Sequence, residues 1–226
     1  MATAVVDRPL FDVVRARRAT NNFESQPVDE KDLKQILQAG LEAPSSYNLQ
    51  PWRFVVVRDL EQRRRLRQAA FGQLKVEEAP VVIIALGDPE GWKDGDMEQM
   101  IAMGRERGMI NDDVAEMIRG NLNGFLGNPN GDVGGVDPGL SNWVNRHTMI
   151  AFTHMMLMAE NLGYNTAPME GFLESKVREV LEIPAHIRVV ALLAIGQRKG
   201  DSKPYGGRFP MSQLVFDNVF GKGLKL

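Results

Sequence analysis

The chain has 226 residues, a length that suits one domain with an elaboration better than two independent domains. Its formal net charge of -2 gives no general attraction to nucleic acid or anionic membranes, so a phosphate ligand has to be bound by a local group of cations. The absence of cysteine excludes disulfides, thiol nucleophiles and thiolate metal sites.

Helices and strands alternate in the first part of the chain. Pro9 begins a helical pattern that ends in an arginine pair. Asp29 caps a second helix, which lasts until Pro44. A charged helix is then predicted between two buried strands. These elements cover residues 54–57 (strand), 59–70 (helix) and 81–86 (strand). Alternation of this kind by itself favours a parallel α/β sheet.

The second part of the chain is mainly helical. Residues 96–125 are rich in methionine and read as helix interrupted near Gly108, and residues 127–139 read as a loop. The predicted helix over 141–162 is apolar on more than one face, which indicates central burial or contact with a partner. The segment after Gly196 is too apolar for a free linker, so we expect it to pack. A short helix and a strand are predicted at residues 173–181 and 188–195.

No apolar run approaches the roughly 20 residues of a membrane span, and the first apolar run is too short for a signal peptide. We therefore expect a cytoplasmic protein without membrane contact.

The stretch from Ala43 to Phe54 places polar side chains between two prolines, directly before the first strand. Pro44 ends the preceding helix and Pro51 fixes the backbone entering the strand, so the side chains between them are held at defined positions. Loops held by rigid elements often carry binding function, with ordinary turn chemistry as the alternative. The polar side chains are those of Ser45, Ser46, Asn48 and Gln50.

Arg17 and Arg18 form a cationic pair at the end of the first helix. Such a pair can hold a phosphate, because arginine binds its oxygens bidentately. Cations are also favoured at any helix C-terminus, and for the pair taken alone this plainer explanation is the stronger one.

Four separated motifs resemble those of the FMN-dependent nitroreductase family and occur in the family's order. They are Arg17-Arg18 with Thr20 and Asn21, the segment 43–54, the segment 167–172 (Ala-Pro-Met-Glu-Gly-Phe), and Arg208-Phe209-Pro210. The resemblance runs from about residue 11 to residue 210 and is weakest between 88 and 141. It implies an α+β fold with a central, mostly antiparallel sheet flanked by helices, in an intertwined homodimer. This expectation replaces the parallel sheet.

The resemblance also implies one domain over residues 1–226, with two additions. A helical insertion at about 90–140 covers the flavin, and a C-terminal tail at about 197–226 packs on the partner subunit.

The resemblance implies FMN at the subunit interface. Three arginines hold its phosphate, the loop before the first strand reaches it from the opposite subunit, and the backbone N–H of Glu170 lies against flavin N5. Gln73 faces the pyrimidine edge of the ring, where its amide can donate and accept. No catalytic side chain is implied. The cofactor-binding residues are Arg17, Arg18, Ala19, Asn21, Pro44, Ser45, Ser46, Asn48, Gln73, Pro168, Met169, Glu170, Gly171 and Arg208.

Three positions depart from the family pattern. The family often has a cation where Asn21 stands, asparagine where Gly72 stands, and a second cation where Gly206 stands. The affinity for the phosphate or the reduction potential of the flavin then differs from that of other family members. Lys203 is a candidate to replace the missing phosphate contact.

The implied activity is a ping-pong reaction in which NAD(P)H reduces FMN and an aromatic or quinone-like acceptor reoxidises it. Nitroaromatics, quinones and activated enals are the expected acceptors. Two alternatives stay open: a specialised enzyme of the same fold, for dehalogenation or flavin fragmentation, and a flavin-binding module without turnover. The methionines of the middle region either pack in the core or line an adaptable pocket for the acceptor.

Other ligand sites find no support in the sequence. Rossmann, P-loop and Gly-x-Ser-x-Gly motifs are missing. His147, His154 and His186 lack the spacing and flanking carboxylates of a metal site, so no metal is expected.

Overall fold

The computed structural model describes residues 8–126 and 140–224 of the chain. Its strands are β1 (Trp52–Val57), β2 (Val81–Gly87), β3 (Asn165–Met169) and β4 (Arg188–Gly196). They form one sheet in the order β1-β2-β4-β3, and each neighbouring pair is antiparallel. The α-helices are α1 (Leu10–Ala16), α2 (Glu30–Leu41), α3 (Leu60–Ala69), α4 (Leu74–Glu78), α5 (Met97–Glu106), α6 (Asp112–Leu126), α7 (Ser141–Asn161), α8 (Glu174–Leu181) and α9 (Met211–Leu214).

Helices cover both faces of the sheet, and successive residues of β2 reveal this. Val82 and Ile84 pack in one apolar cluster with Leu66 of α3 and Val177 of α8. Ile83 packs in a second cluster, with α2 and α7. Side chains alternate between the two faces of a strand. The continuous apolar run of β2 therefore shows that helices bury both faces of this strand, and it does not indicate parallel pairing. The antiparallel sheet is confirmed, and the parallel arrangement suggested by alternation alone is wrong.

The middle region forms a third apolar cluster. Helices α5 and α6 pack there with Trp92, with Leu49 of the loop before β1, and with Trp143 at the start of α7. The predicted interruption near Gly108 is confirmed, because α5 ends at Glu106 and α6 begins at Asp112.

The predicted helix starts are confirmed, while three short elements were missed. The side chain of Asp29 accepts from the backbone N–H groups of Lys31 and Asp32, and Asp59 caps α3 in the same way. Helices α4 and α9 and strand β3 were not predicted. Each has only four or five residues, too few for a periodic pattern.

Among the described residues, exposed large apolar side chains are concentrated in two parts of the chain. One is α1, where only Val13 is buried. The other is the C-terminal segment around α9. The most exposed of these side chains are Leu10 (69%), Phe11 (68%), Phe209 (74%), Leu214 (62%) and Phe220 (92%).

The predicted loop at 127–139 lies outside the described residues. Within 8–126 and 140–224, no helix combines the length and apolar character needed to cross a membrane.

We predict that Gly196→Ala destabilises the protein by about 1–3 kcal/mol, since this position has no room for a methyl group. A Cβ there would lie 2.6 Å from Pro80 Cδ and 3.2 Å from Phe23 Cδ1. The matched control is Gly120→Ala, on the exposed side of α6, where a Cβ meets nothing within 4 Å. This change should stabilise by about 0.5–1 kcal/mol. Urea unfolding measures both, and a neutral Gly196→Ala would contradict the packing described.

Candidate functional site

The end of α1 is attached to one edge of the sheet. Arg17 caps α1, and its backbone N–H donates to the carbonyl of Val13 at 3.1 Å. Ala19 forms a parallel bridge with Thr166 of β3, and the N–H of Thr20 donates to the Thr166 carbonyl at 2.9 Å. The arginine pair is therefore held beside the edge strand β3.

Arginines from two distant parts of the sequence meet here, around Tyr205. The guanidinium carbon of Arg18 lies 4.4 Å from the centroid of the Tyr205 ring, and that of Arg208 lies 5.5 Å from it. Burial lowers the pKa of Arg17, and the charge of Arg208 lowers it further, while Glu160 acts in the opposite direction. The structure thus brings together the three arginines that the resemblance assigned to one phosphate.

The guanidinium of Arg17 is incompletely bonded. Its Nη1 atom is buried and has no hydrogen-bond partner among the described residues. A buried donor without an acceptor is costly, and here the adjacent Arg208 and Arg18 are of the same charge. A planar cation with a free donor, beside two further cations, suits an anion with several acceptor oxygens. These residues therefore fit a phosphate monoester.

Gln73 connects this group to the end of β3. With Asn21 it lines a cavity of about 400 Å³. Its Nε2 donates to the carbonyls of Gly171, at 2.7 Å, and Ala70, at 3.1 Å. Both amide hydrogens are therefore used, and only Oε1 is left to accept from a ligand. The sequence interpretation was that the Gln73 side chain both donates to a ligand and accepts from it. In the structure its amide can only accept a hydrogen bond from a ligand.

The segment that follows β3 completes this part of the site. Met169 is buried at the end of the strand, whereas Glu170 and Gly171 are exposed. We call the set joined by these contacts the basic half-site. It contains Arg17, Arg18, Ala19, Asn21, Gln73, Pro168, Met169, Glu170, Gly171 and Arg208.

Lysines also lie at the basic half-site, and of these the sequence analysis considers only Lys203 as a phosphate contact. Lys75 lines the same cavity as Asn21 and Gln73. Burial lowers the pKa of Lys75, and the nearby charge of Lys203 adds to the effect. Lys203 shares a smaller cavity with Arg18. Lys75 was overlooked because a lysine in a charged segment looks like a solvated side chain. The one feature of the sequence that could have indicated a role for Lys75 at the site is its position two residues after Gln73.

The remaining predicted residues lie in the loop before β1, which we call the loop half-site: Pro44, Ser45, Ser46 and Asn48. The hydroxyl of Ser45 accepts from the backbone N–H of Gln50 at 2.9 Å. The hydroxyl of Ser46 lies 3.0 Å from Nε2 of His147, on α7. No local pattern in the sequence indicates this contact between His147 and Ser46.

The loop half-site has an unusual backbone. Tyr47, Asn48 and Gln50 have φ values of 53°, 54° and 49°, in the left-handed region that residues with a Cβ seldom adopt. Leu49, between them, is buried in the third cluster with Trp92. Anchoring by Leu49 holds the strained turn in place.

A methionine-lined cavity adjoins the loop half-site. It measures about 510 Å³, and Asn48 and Tyr47 line it together with Met100, Met103 and Met109. A second cavity, of about 380 Å³, shares Asn48, Gln50, Met100 and Met103 with the first.

The two half-sites do not meet within one chain. The basic half-site lies beside β3 and the loop half-site directly precedes β1, and these strands form opposite edges of the sheet. Three strand spacings separate the edges, or about 14 Å. The cavities that the two half-sites line have no residue in common.

Similarity to known proteins was compared by sequence and by structure. Residues 14–197 match the model of the Nitroreductase family. The chain is 34% identical over 210 residues to a protein of Thermus thermophilus named NADH dehydrogenase, covering 92% of this chain and 96% of that protein. It is 30% identical over 206 residues to MhqN of Bacillus subtilis, provisionally named an NAD(P)H nitroreductase, covering 90% of this chain and 96% of MhqN.

A solved structure agrees. A nitroreductase-like protein of Exiguobacterium sibiricum, crystallised in complex with FMN, superposes with a TM-score of 0.80 at 25% identity. The match covers 93% of this chain and 97% of that one. The chain belongs to the nitroreductase family.

Proposed function

We propose that this protein is an FMN-dependent NAD(P)H oxidoreductase that reduces nitroaromatics, quinones or related activated acceptors. The observation that carries the proposal is the buried, unpartnered Nη1 of Arg17 among the arginines of the basic half-site. A phosphate there would supply the missing acceptor and offset the repulsion between like charges. The FMN of the Exiguobacterium sibiricum relative supports flavin mononucleotide as the carrier of that phosphate.

The other residues of the basic half-site would orient the flavin ring. Oε1 of Gln73 would accept from a ring N–H, Lys75 would donate to a ring oxygen, and the backbone N–H of Glu170 would donate to the ring. Bound FMN supplies the redox chemistry by taking a hydride from reduced nicotinamide and passing electrons to an acceptor. The relatives' names support a nicotinamide donor without deciding between NADH and NADPH.

The loop half-site would reach the same flavin from a second subunit. The position of the two half-sites at opposite edges of the sheet supports this arrangement. So do the exposed side chains of Phe11 on α1 and Phe209 and Phe220 in the C-terminal segment, because apolar surface of this kind is usually buried against a partner. We propose a homodimer whose C-terminal tails wrap the partner, each chain being one cytoplasmic domain.

The methionine-lined cavity would then form part of the acceptor pocket, under the helical insertion. Thioether side chains are unbranched and polarisable, so they adapt to ligands of different shape and contact aromatic rings favourably. This lining supports planar aromatic acceptors and a broad range of them.

Turnover is tested by an anaerobic absorption titration of the purified protein with NADPH and then NADH, followed by a nitroaromatic. We expect a bound flavin spectrum that bleaches with at least one nicotinamide and returns when the acceptor is added. A flavin that neither nicotinamide bleaches would contradict the enzyme and favour a binding module.

Arg17→Met should weaken FMN binding roughly 10- to 150-fold, since one charge-assisted contact contributes about 1.5–3 kcal/mol. Without FMN the same variant should be at least as stable as the wild type, because it removes a buried cation without an acceptor. Fluorescence titration and thermal unfolding measure the two effects.

The control for Arg17 is Arg65→Met, on the exposed side of α3, where the guanidinium donates to Gln62 and lies near the charge of Glu179. It should change neither FMN binding nor stability appreciably. A destabilised Arg17→Met protein that binds FMN normally would show that Arg17 serves the fold rather than the phosphate.

A further inference from the structure

A chain of hydrogen bonds connects the loop half-site to α7. Nδ1 of His147 lies 2.7 Å from the carbonyl oxygen of Trp143, one turn earlier in the same helix. Nε2 of the same ring lies 3.0 Å from the hydroxyl oxygen of Ser46. The imidazole also packs on the buried Trp143 ring, with centroids 4.6 Å apart. These contacts fix the ring orientation of His147.

The direction of each hydrogen bond follows from the chemistry of the groups. A carbonyl oxygen can only accept, so Nδ1 of His147 has to carry a proton. In a neutral imidazole the other nitrogen is then an acceptor. The hydroxyl of Ser46 therefore donates its proton to Nε2, and what it can offer a ligand is its lone pairs.

The neighbouring hydroxyl is oriented in the opposite way. Ser45 accepts from the backbone N–H of Gln50 at 2.9 Å, so its own proton is left to donate. The loop thus presents a donor at Ser45 directly beside an acceptor at Ser46. A ligand that carries an adjacent acceptor and donor, such as two neighbouring hydroxyl groups, complements this pair.

We propose that His147 is a positioning residue that fixes Ser46 as a hydrogen-bond acceptor, so that Ser45 donates to, and Ser46 accepts from, hydroxyl groups of the bound cofactor. The inference rests on the proposed FMN function, because Ser46 reaches the flavin only if the loop half-site does. His147 itself contacts no ligand and acts through Ser46.

The first test is the tautomer of His147, read from long-range ¹⁵N–¹H correlation of the imidazole rings at mildly alkaline pH. The chain has only 3 histidines, so loss of one signal set in His147→Gln assigns the ring. We expect the proton on Nδ1, with or without FMN. A ring protonated on Nε2 alone would overturn the proposal whatever the protein binds.

The second test is a double-mutant cycle on FMN affinity. His147→Leu removes the acceptor of the Ser46 proton and should weaken FMN binding about threefold to tenfold, the size of one neutral hydrogen bond. His147→Gln keeps an acceptor at the ε position and should restore most of the affinity. In a Ser46→Ala background, His147→Leu should have no further effect, because His147 acts only through that hydroxyl.

A matched control exists on the same helix. Nδ1 of His154 also faces a carbonyl oxygen, that of Ala39, at 3.2 Å, but this ring belongs to no half-site. His154→Leu should leave FMN affinity unchanged.

The outcomes separate the two proposals. A wild-type protein that binds no FMN contradicts the proposed function. A wild type that binds FMN as tightly as His147→Leu, or a His147→Leu effect that persists in Ser46→Ala, overturns the role of His147 and leaves the proposed function standing.

Discussion

A half-buried guanidinium whose Nη1 atom has no acceptor, beside two others of the same charge, is the constraint from which the rest of the site follows. Arg17 is held there by the bridge between Ala19 and Thr166, which ties the end of α1 to the edge of the sheet. Such an arrangement costs free energy in the protein alone. An anion bound at this site would supply the missing acceptor, and its binding would raise the stability of the folded protein again.

The order of the strands decides how such a ligand can be enclosed. With β1 and β3 at opposite edges of the sheet, the loop before β1 lies apart from the basic half-site of its own chain, where we propose that the flavin binds. In the proposed dimer each loop would serve the partner's site, and the partner would cover the apolar side chains of α1 and the C-terminal segment. On this proposal dimerisation and cofactor binding are one requirement, since the complete site would take one half-site from each chain.

The sequence predicted structure correctly where several features indicated the same element. It misled where one pattern is produced by two different structures. Asp29 and Asp59 marked helix starts through their capping chemistry. The apolar run of β2 could not distinguish parallel from antiparallel pairing, because cover on both faces produces it either way. Strand β3 was too short for a pattern. Lys75 and His147 were missed because their roles depend on contacts between distant segments, with Lys203 and with Ser46, which no local spacing encodes.

The shared site is tested most directly by mixing two variants that each lack one half-site. One carries Arg17→Met with Arg208→Met, and the other carries Ser46→Ala with Asn48→Ala. Each homodimer should bind FMN poorly. In a purified heterodimer, one of the two sites receives an intact basic half-site and an intact loop, so we expect half of the wild-type FMN content. A heterodimer that binds no more FMN than its parents, or a wild-type monomer that binds FMN fully, would contradict a site built from two chains.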